Sequence, residues 1–300
     1  MKAEYIRKPD SVLKGKNREI AVFNTAGENI DHSVVEAFGE EWLKFQDYDD
    51  ETIRKFVLEY FDIITDEMVN KDTYMADIGC GTGRWSKYMS TRCGYIEAID
   101  PSNALIAADN LLKGIENIRL TKASTETVPF ADDTFDFVMS IGVLHHIPNT
   151  QKAMMDCVKK VKKGGYFYTY LYYNLENRGA FFRFTYTISN IIRLGVCRLP
   201  AGLKRFVCDI LAATIYLPIV SLVRFLYFIG AKKLGDKLPL TSYKNKNFFV
   251  LRNDALDRFG TALEQRFSKK QVIEMMEFCG LENIIVSPNS PYYHAVGKKK

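Results

Sequence analysis

Two acids, a glycine turn and a pair of adjacent histidines are the groups in this sequence with the clearest capacity to bind a ligand or move a proton. Asp77-Ile78-Gly79-Cys80-Gly81-Thr82-Gly83 follows the apolar run Tyr74-Met75-Ala76. Glycines at such a strand end permit a tight turn and let backbone N–H groups approach a ligand, and the N-terminus of a following helix favours negative charge. A second strand-like run ends at Asp100-Pro101-Ser102. A carboxylate there can accept two hydrogen bonds from a ribose diol, or it can cap the next helix. A further run ends in Ser140-Ile141-Gly142-Val143-Leu144-His145-His146. Imidazole titrates near neutrality, so His145 and His146 are candidate bases, or one packs beneath a ligand while the other caps a helix.

The spacing of the glycines excludes two common nucleotide sites. A dinucleotide turn needs a third glycine at the position held by Arg84, and no Gly-Lys-Ser/Thr follows for a phosphate loop. The run Asp77 to Gly83 instead resembles the first motif of class I S-adenosylmethionine-dependent methyltransferases. The resemblance implies that Asp77 serves the methionine ammonium, that Gly79, Cys80, Gly81, Thr82 and Gly83 pass beside the carboxypropyl group, and that Asp100, with Pro101, holds the ribose. Residues 123–130 and 132–138 are similar to the loop over adenine and the strand behind it. Ser124 stands where the family often has Asp, and Thr125 offers a backbone N–H to the ring. Ser140, Gly142 and the Val-Leu-His-His segment resemble the quinone-type and related small-molecule methyltransferases, with Ser140 and Gly142 beside the cofactor.

These groups need elements to hold them. Strand-like runs at 74–78, 95–99, 117–120, 135–141 and 166–172 alternate with helix-like segments at 85–90, 102–112 and 151–162, the last expected to end at Gly164-Gly165. Alternation of this kind predicts an α/β fold with a parallel sheet and ligands at the carboxyl ends of its strands. Ser268 is placed as the cap of a helix running to Cys279, and 283–287 and 292–297 read as an antiparallel edge hairpin. The expectation is a Rossmann-like, seven-stranded, mostly parallel sheet with a helical cap inserted after its fifth strand. The divisions are an N-terminal helical segment (1–70), the cofactor-binding core (71–173), a basic and apolar cap (174–267) and the C-terminal part of the core (268–300). Within the first, Ile53, Phe56, Val57, Tyr60, Phe61 and Ile64 follow helical spacing.

The net charge of +5 is unevenly spread: between Arg178 and Lys246 twelve Lys and Arg stand against Asp209 and Asp236, so this stretch carries +10 and the remainder −5. A basic block in an otherwise acidic chain points to an anionic partner or to a solvated face. The apolar run 207–230, within a 203–230 segment flanked by Lys and Arg, contains Asp209, Pro218 and Arg224, which disfavour a membrane span and suit either helices lying on an anionic surface or a buried lid. Trp42, Tyr172, Arg258 and Arg266 are candidate acceptor contacts, the two arginines as anion clamps or as partners of nearby acids. Six scattered cysteines show no metal-ligand spacing, so no metal is expected. The first ten residues lack the apolar core of a secretory signal, which predicts a cytoplasmic protein, peripheral at the membrane if the cap docks there.

The expected function is methyl transfer from S-adenosylmethionine to oxygen or carbon of a small or lipid-linked metabolite. The alternatives are a nucleic-acid methyltransferase, against which the absence of an Asn/Asp-Pro-Pro-Tyr/Phe segment argues, and a non-catalytic module that binds the cofactor. The sequence leaves the oligomeric state open.

Overall fold

The computed structural model describes residues 2–24, 27–44, 57, 59–176 and 178–300. Two compact units emerge, Met1–Asn174 with Leu263–Lys300, and Leu175–Ala262.

The first unit is built on a nine-stranded sheet. Its strands are β1 (Ser11–Lys14), β2 (Glu19–Val22), β3 (Tyr74–Ile78), β4 (Tyr95–Asp100), β5 (Ile118–Lys122), β6 (Phe135–Ile141), β7 (Val161–Tyr170), β8 (Leu281–Val286) and β9 (His294–Lys299). The order across the sheet is β1-β2-β5-β4-β3-β6-β7-β9-β8. Strands β2 to β7 pair in parallel, and β9 joins β7 and β8 antiparallel. The expected edge hairpin is therefore present. The strand count is larger than the predicted seven because residues 11–14 and 19–22 form a hairpin that extends the sheet beside β5. The N-terminal segment is thus only partly helical. Its strands carry no signal in the sequence because each is only four residues long and shows no sustained alternation.

Helices α1 (His32–Lys44), α2 (Arg84–Met89), α3 (Ala104–Leu111), α4 (Thr150–Lys159) and α10 (Lys269–Phe278) belong to this unit. The capping box at Ser268 and Gln271 starts the last of them, as expected. Gly164 and Gly165 do not end a helix; they lie inside β7, where the pairing with β6 slips between Phe135 and Phe137. Gly164 has φ of 76°, and a Cβ on Gly165 would lie 2.6 Å from the Asp136 carbonyl, so the glycines serve a bulge. In the amphipathic pattern at 53–64, Ile53 and Phe56 lie outside the described residues, while Val57, Phe61 and Ile64 are buried against the sheet.

Where the chain leaves and re-enters this unit, Tyr173 bridges Phe267 in parallel, Asn174 N–H donates to the Phe267 carbonyl and Phe267 N–H to that of Tyr172. Exit and return are clamped at one point, so the inserted segment closes a long loop without disturbing the sheet.

The second unit is helical: α5 (Ala180–Val196), α6 (Ala201–Leu211), a π-turn (Ala212–Tyr216), α7 (Leu217–Phe228), α8 (Lys232–Gly235) and α9 (Phe248–Gly260). Val196, Cys208, Ala212, Tyr216, Leu251 and Phe259 form its core. Buried Arg193 donates to the carbonyls of Thr261 and Ala262, satisfying acceptors just past the end of α9. Gly202–Phe228 is a continuous helical run of 27 residues, long and apolar enough by composition to cross a membrane.

Candidate cofactor and methyl-transfer site

The glycine turn joins β3 to α2, and its shape explains its composition. Gly79, Gly81 and Gly83 all have positive φ, at 83°, 54° and 77°. A Cβ on Gly79 would collide with Val143, and one on Gly83 would lie 2.8 Å from Leu112 Cδ1. Only glycine supplies both the left-handed backbone and the close approach. The N–H groups of Gly79 and Cys80 donate to the Ile99 carbonyl at 2.7 and 3.0 Å, which fastens the turn to β4.

Asp77 lies one residue before the end of β3 and is 1% exposed. Its Oδ2 accepts from the Ser86 hydroxyl at 2.6 Å, while its Oδ1 is buried with no hydrogen-bond partner. Burial pushes its carboxyl up to about 7, with nearby Asp100 adding to the rise and Ser86 opposing it. An orphaned buried carboxylate oxygen at a glycine turn fits a cationic ligand group such as the ammonium of S-adenosylmethionine.

Asp100 closes β4. Its Oδ2 accepts from the Gly81 N–H at 2.9 Å, and its Oδ1 from the Ser102 N–H and hydroxyl at 2.8 and 2.6 Å. It therefore holds the turn and the start of the following loop, and each oxygen retains acceptor capacity for a diol. Pro101 continues this loop. Ser124 and Thr125 are buried after β5; the Ser124 N–H donates to the Thr127 hydroxyl, and the two side-chain oxygens lie 3.1 Å apart. Ser140 is turned inward: its hydroxyl donates to the Ile78 carbonyl at 2.8 Å and so ties β6 to β3. Gly142, with φ of 76°, donates to the Tyr170 carbonyl.

His145 and His146 form a single 3-10 turn, Leu144–His146, just beyond β6. The two rings have different surroundings. His145 is fully buried, stacks on Tyr172 with ring centroids 3.9 Å apart, and neither ring nitrogen has a hydrogen-bond partner. Burial, with His146 and Arg266 nearby, holds it well below the usual imidazole range, so it is neutral. His146 places Nδ1 2.7 Å from the Leu263 carbonyl. A carbonyl only accepts, so Nδ1 carries the proton and Nε2 is the basic nitrogen of the neutral ring.

Helix α1 completes the site. A Cβ on Gly81 would meet the Trp42 indole at 3.8 Å, and Gly39 packs against Ser102 and Asn103. Phe38 lies 4.9 Å from the His146 ring, and the Arg84 guanidinium sits 5.2 Å from that of Trp42. Trp42 is thus placed against the cofactor turn itself. Tyr172 packs on His145, and Arg266 lies over Tyr172 while pairing with Glu264 at 2.8 Å. Arg258 belongs to the helical unit, where it lies 4.7 Å from the Tyr186 ring. The two arginines thus belong to separate units. Ser86, Gly39 and the Leu263 carbonyl went unpredicted. Ser86 alone had a signal, a small polar residue within the first turn after the glycines; the others depend on tertiary packing.

Residues 76–169 match the family described as "Methyltransferase domain". The chain is 28% identical over 94 residues to an uncharacterized methyltransferase, YcgJ, of Bacillus subtilis, covering 30% of this chain and 37% of that protein. It is 30% identical over 107 residues to a demethylmenaquinone methyltransferase of Staphylococcus aureus, covering 34% and 44%. The matched part thus spans less than half the length of these relatives. A solved SAM-dependent methyltransferase from Aquifex aeolicus aligns at 15% identity over 83% of this chain and 97% of that chain, with a TM-score of 0.43. Residues 76–169 thus carry a methyltransferase domain, set in a mostly parallel α/β sheet, with S-adenosylmethionine as the cofactor.

Proposed function

We propose that this protein transfers a methyl group from S-adenosylmethionine to an oxygen or carbon of a small or lipid-linked metabolite. The observation that carries the reading is the pairing of two features at neighbouring strand ends, the unpartnered Asp77 Oδ1 near the end of β3 and the oriented His146 after β6. The cofactor supplies a methyl group already attached to a sulfonium, so the protein must align an acceptor, exclude water and remove at most one proton. Asp77 meets the cofactor's cationic end, and the glycine turn lets it approach. His146, its Nδ1–H held by the Leu263 carbonyl, presents Nε2 as the base toward an acceptor hydroxyl. His145 supports that ring from a dry, aromatic setting. The Staphylococcus aureus relative is named for action on demethylmenaquinone, and Phe38, Tyr170 and Tyr172 around the histidines suit an acceptor ring of that kind.

The test is incubation of the full chain with methyl-labelled S-adenosylmethionine and total cell extract, followed by separation into lipid, polar and RNA fractions. Label in the lipid or polar fraction is expected. Label in RNA overturns the acceptor class, and binding of S-adenosylhomocysteine by calorimetry with no label anywhere overturns catalysis in favour of a binding module.

A further inference from the structure

We propose that the outward apolar face of the Leu175–Ala262 unit docks in the plane of an anionic lipid bilayer. Of the nineteen large apolar side chains exposed among the described residues, fifteen belong to this unit, which holds fewer than a third of the residues. They are ordered. On α5, Phe184, Ile188 and Ile191 recur at intervals of four and three, and along 202–228 Phe206, Phe225 and Phe228 share the side opposite Cys208, Ala212 and Tyr216. Phe228 is 88% exposed. The unit's own core is already filled from the inward sides of these helices, so the outward stripes are surplus to its folding.

Charge selects the partner. The unit contains fourteen Lys and Arg against five Asp and Glu. Its acids are engaged: Asp209 accepts from Nε and Nη2 of Arg252 at 2.7 and 2.6 Å, Asp236 accepts from the Tyr227 hydroxyl and Asp254 from that of Tyr243. Exposed Lys232 and Lys233 follow directly on the Phe228 end of the long helix. A second copy packed on the same face would set like charge against like, whereas anionic headgroups complement it.

The same contacts make the helix lie flat rather than cross. Arg224 donates to the carbonyls of Lys244 and Lys246, and the Asp209–Arg252 pair ties the other half of the helix to α9. A spanning helix would abandon both and bury two charges in hydrocarbon. The inference deepens the proposed function, bringing the site to a lipid-borne acceptor, and rests on that reading for the acceptor alone. Vesicle binding without cofactor therefore succeeds or fails independently of catalysis.

Flotation of the full chain with phosphatidylcholine vesicles, with and without phosphatidylglycerol, tests it. Capture is expected only by the anionic vesicles, weakening with salt and reversed by alkaline carbonate. Phe225→Asp, and separately Lys232→Glu with Lys233→Glu, each lower partitioning by about tenfold or more while far-UV circular dichroism is unchanged. No capture by anionic vesicles overturns the proposal, as does capture that resists carbonate, which would mark a span. A monomer–dimer equilibrium in sedimentation that Phe225→Asp abolishes, without vesicle capture, would assign the face to a second copy instead.

Discussion

The sheet unit and the helical unit dispose of polar and apolar groups in opposite ways. In the first, even charges lie inside and are partnered: Glu97, fully buried, takes Arg119 at 2.7 and 2.6 Å and the Tyr74 hydroxyl at 2.6 Å, and Asp109 pairs with Arg18. Of its described buried atoms without a hydrogen-bond partner, Asp77 Oδ1 and both nitrogens of His145 lie at strand ends where a ligand is expected, while Asp109 Oδ1 faces Arg18. In the second unit Asn253 Oδ1 is buried without a partner, but most departures are on the outside and are apolar. A buried polar atom without a partner and an exposed apolar side chain without a cover are both costs that folding alone does not explain. Their locations separate the part with a site for a small charged molecule from the part that leaves apolar faces uncovered.

The sharpest way to break this contrast is at the turn. Gly79→Ala should destabilise the protein by about 3 kcal/mol, from a positive φ and collision with Val143, and abolish S-adenosylhomocysteine binding; urea melts and calorimetry measure both. A loss under about 0.5 kcal/mol would show the turn to be adaptable. Next, His146→Ala should lower turnover by roughly 100-fold or more with cofactor affinity within about threefold, since proton transfer contributes on that scale. Equal losses in both quantities would make the ring structural.

Asp77→Asn should weaken cofactor binding by about 10- to 100-fold, the range of a charged hydrogen bond, with a distinctive pH signature. In the free protein the carboxyl sits near 7, so below that pH a proton must leave before a cation can bind. Native affinity therefore falls by up to about tenfold per unit as pH drops from 7 toward 5.5, and the variant's does not. Because folding raises this group's pKa, the stability it contributes is present at low pH and lost as pH rises through about 7. The variant should accordingly melt higher than the native protein at pH 8. The smallest effect belongs to the other unit: Phe228→Ser should change stability by less than about 0.5 kcal/mol, because the ring is already in solvent. A large loss would mean that the ring is covered in solution.

How much was legible in the sequence followed the range of the forces involved. Strand β3, the glycine turn and Asp100 were readable because their constraints are local: an apolar run, positive φ, an acid at a strand end. The strands at 11–14 and 19–22 were not, because strands of four residues owe their existence to the sheet edge they join. The glycines at 164–165 were assigned to a helix end because a bulge and a helix stop call for the same residue. The difference between His145 and His146 was illegible for a stronger reason: adjacent and chemically identical, they are distinguished by tertiary neighbours, Tyr172 for the first and Phe38 and the distant Leu263 for the second. Arg258 and Arg266, close in sequence, were grouped together but fall on either side of the point where the inserted unit ends.

Helix α1 has a kinetic consequence. Trp42 lies against the glycine turn, Gly39 against the loop after Asp100, and Phe38 against His146, so one amphipathic helix touches three of the elements that surround the ligand. A spent cofactor trapped beneath such a strap leaves only as fast as the strap lifts, and that opening owes nothing to the acceptor. Turnover should then show a rapid first round equal to one methyl per chain, followed by a slower steady rate common to good and poor acceptors alike.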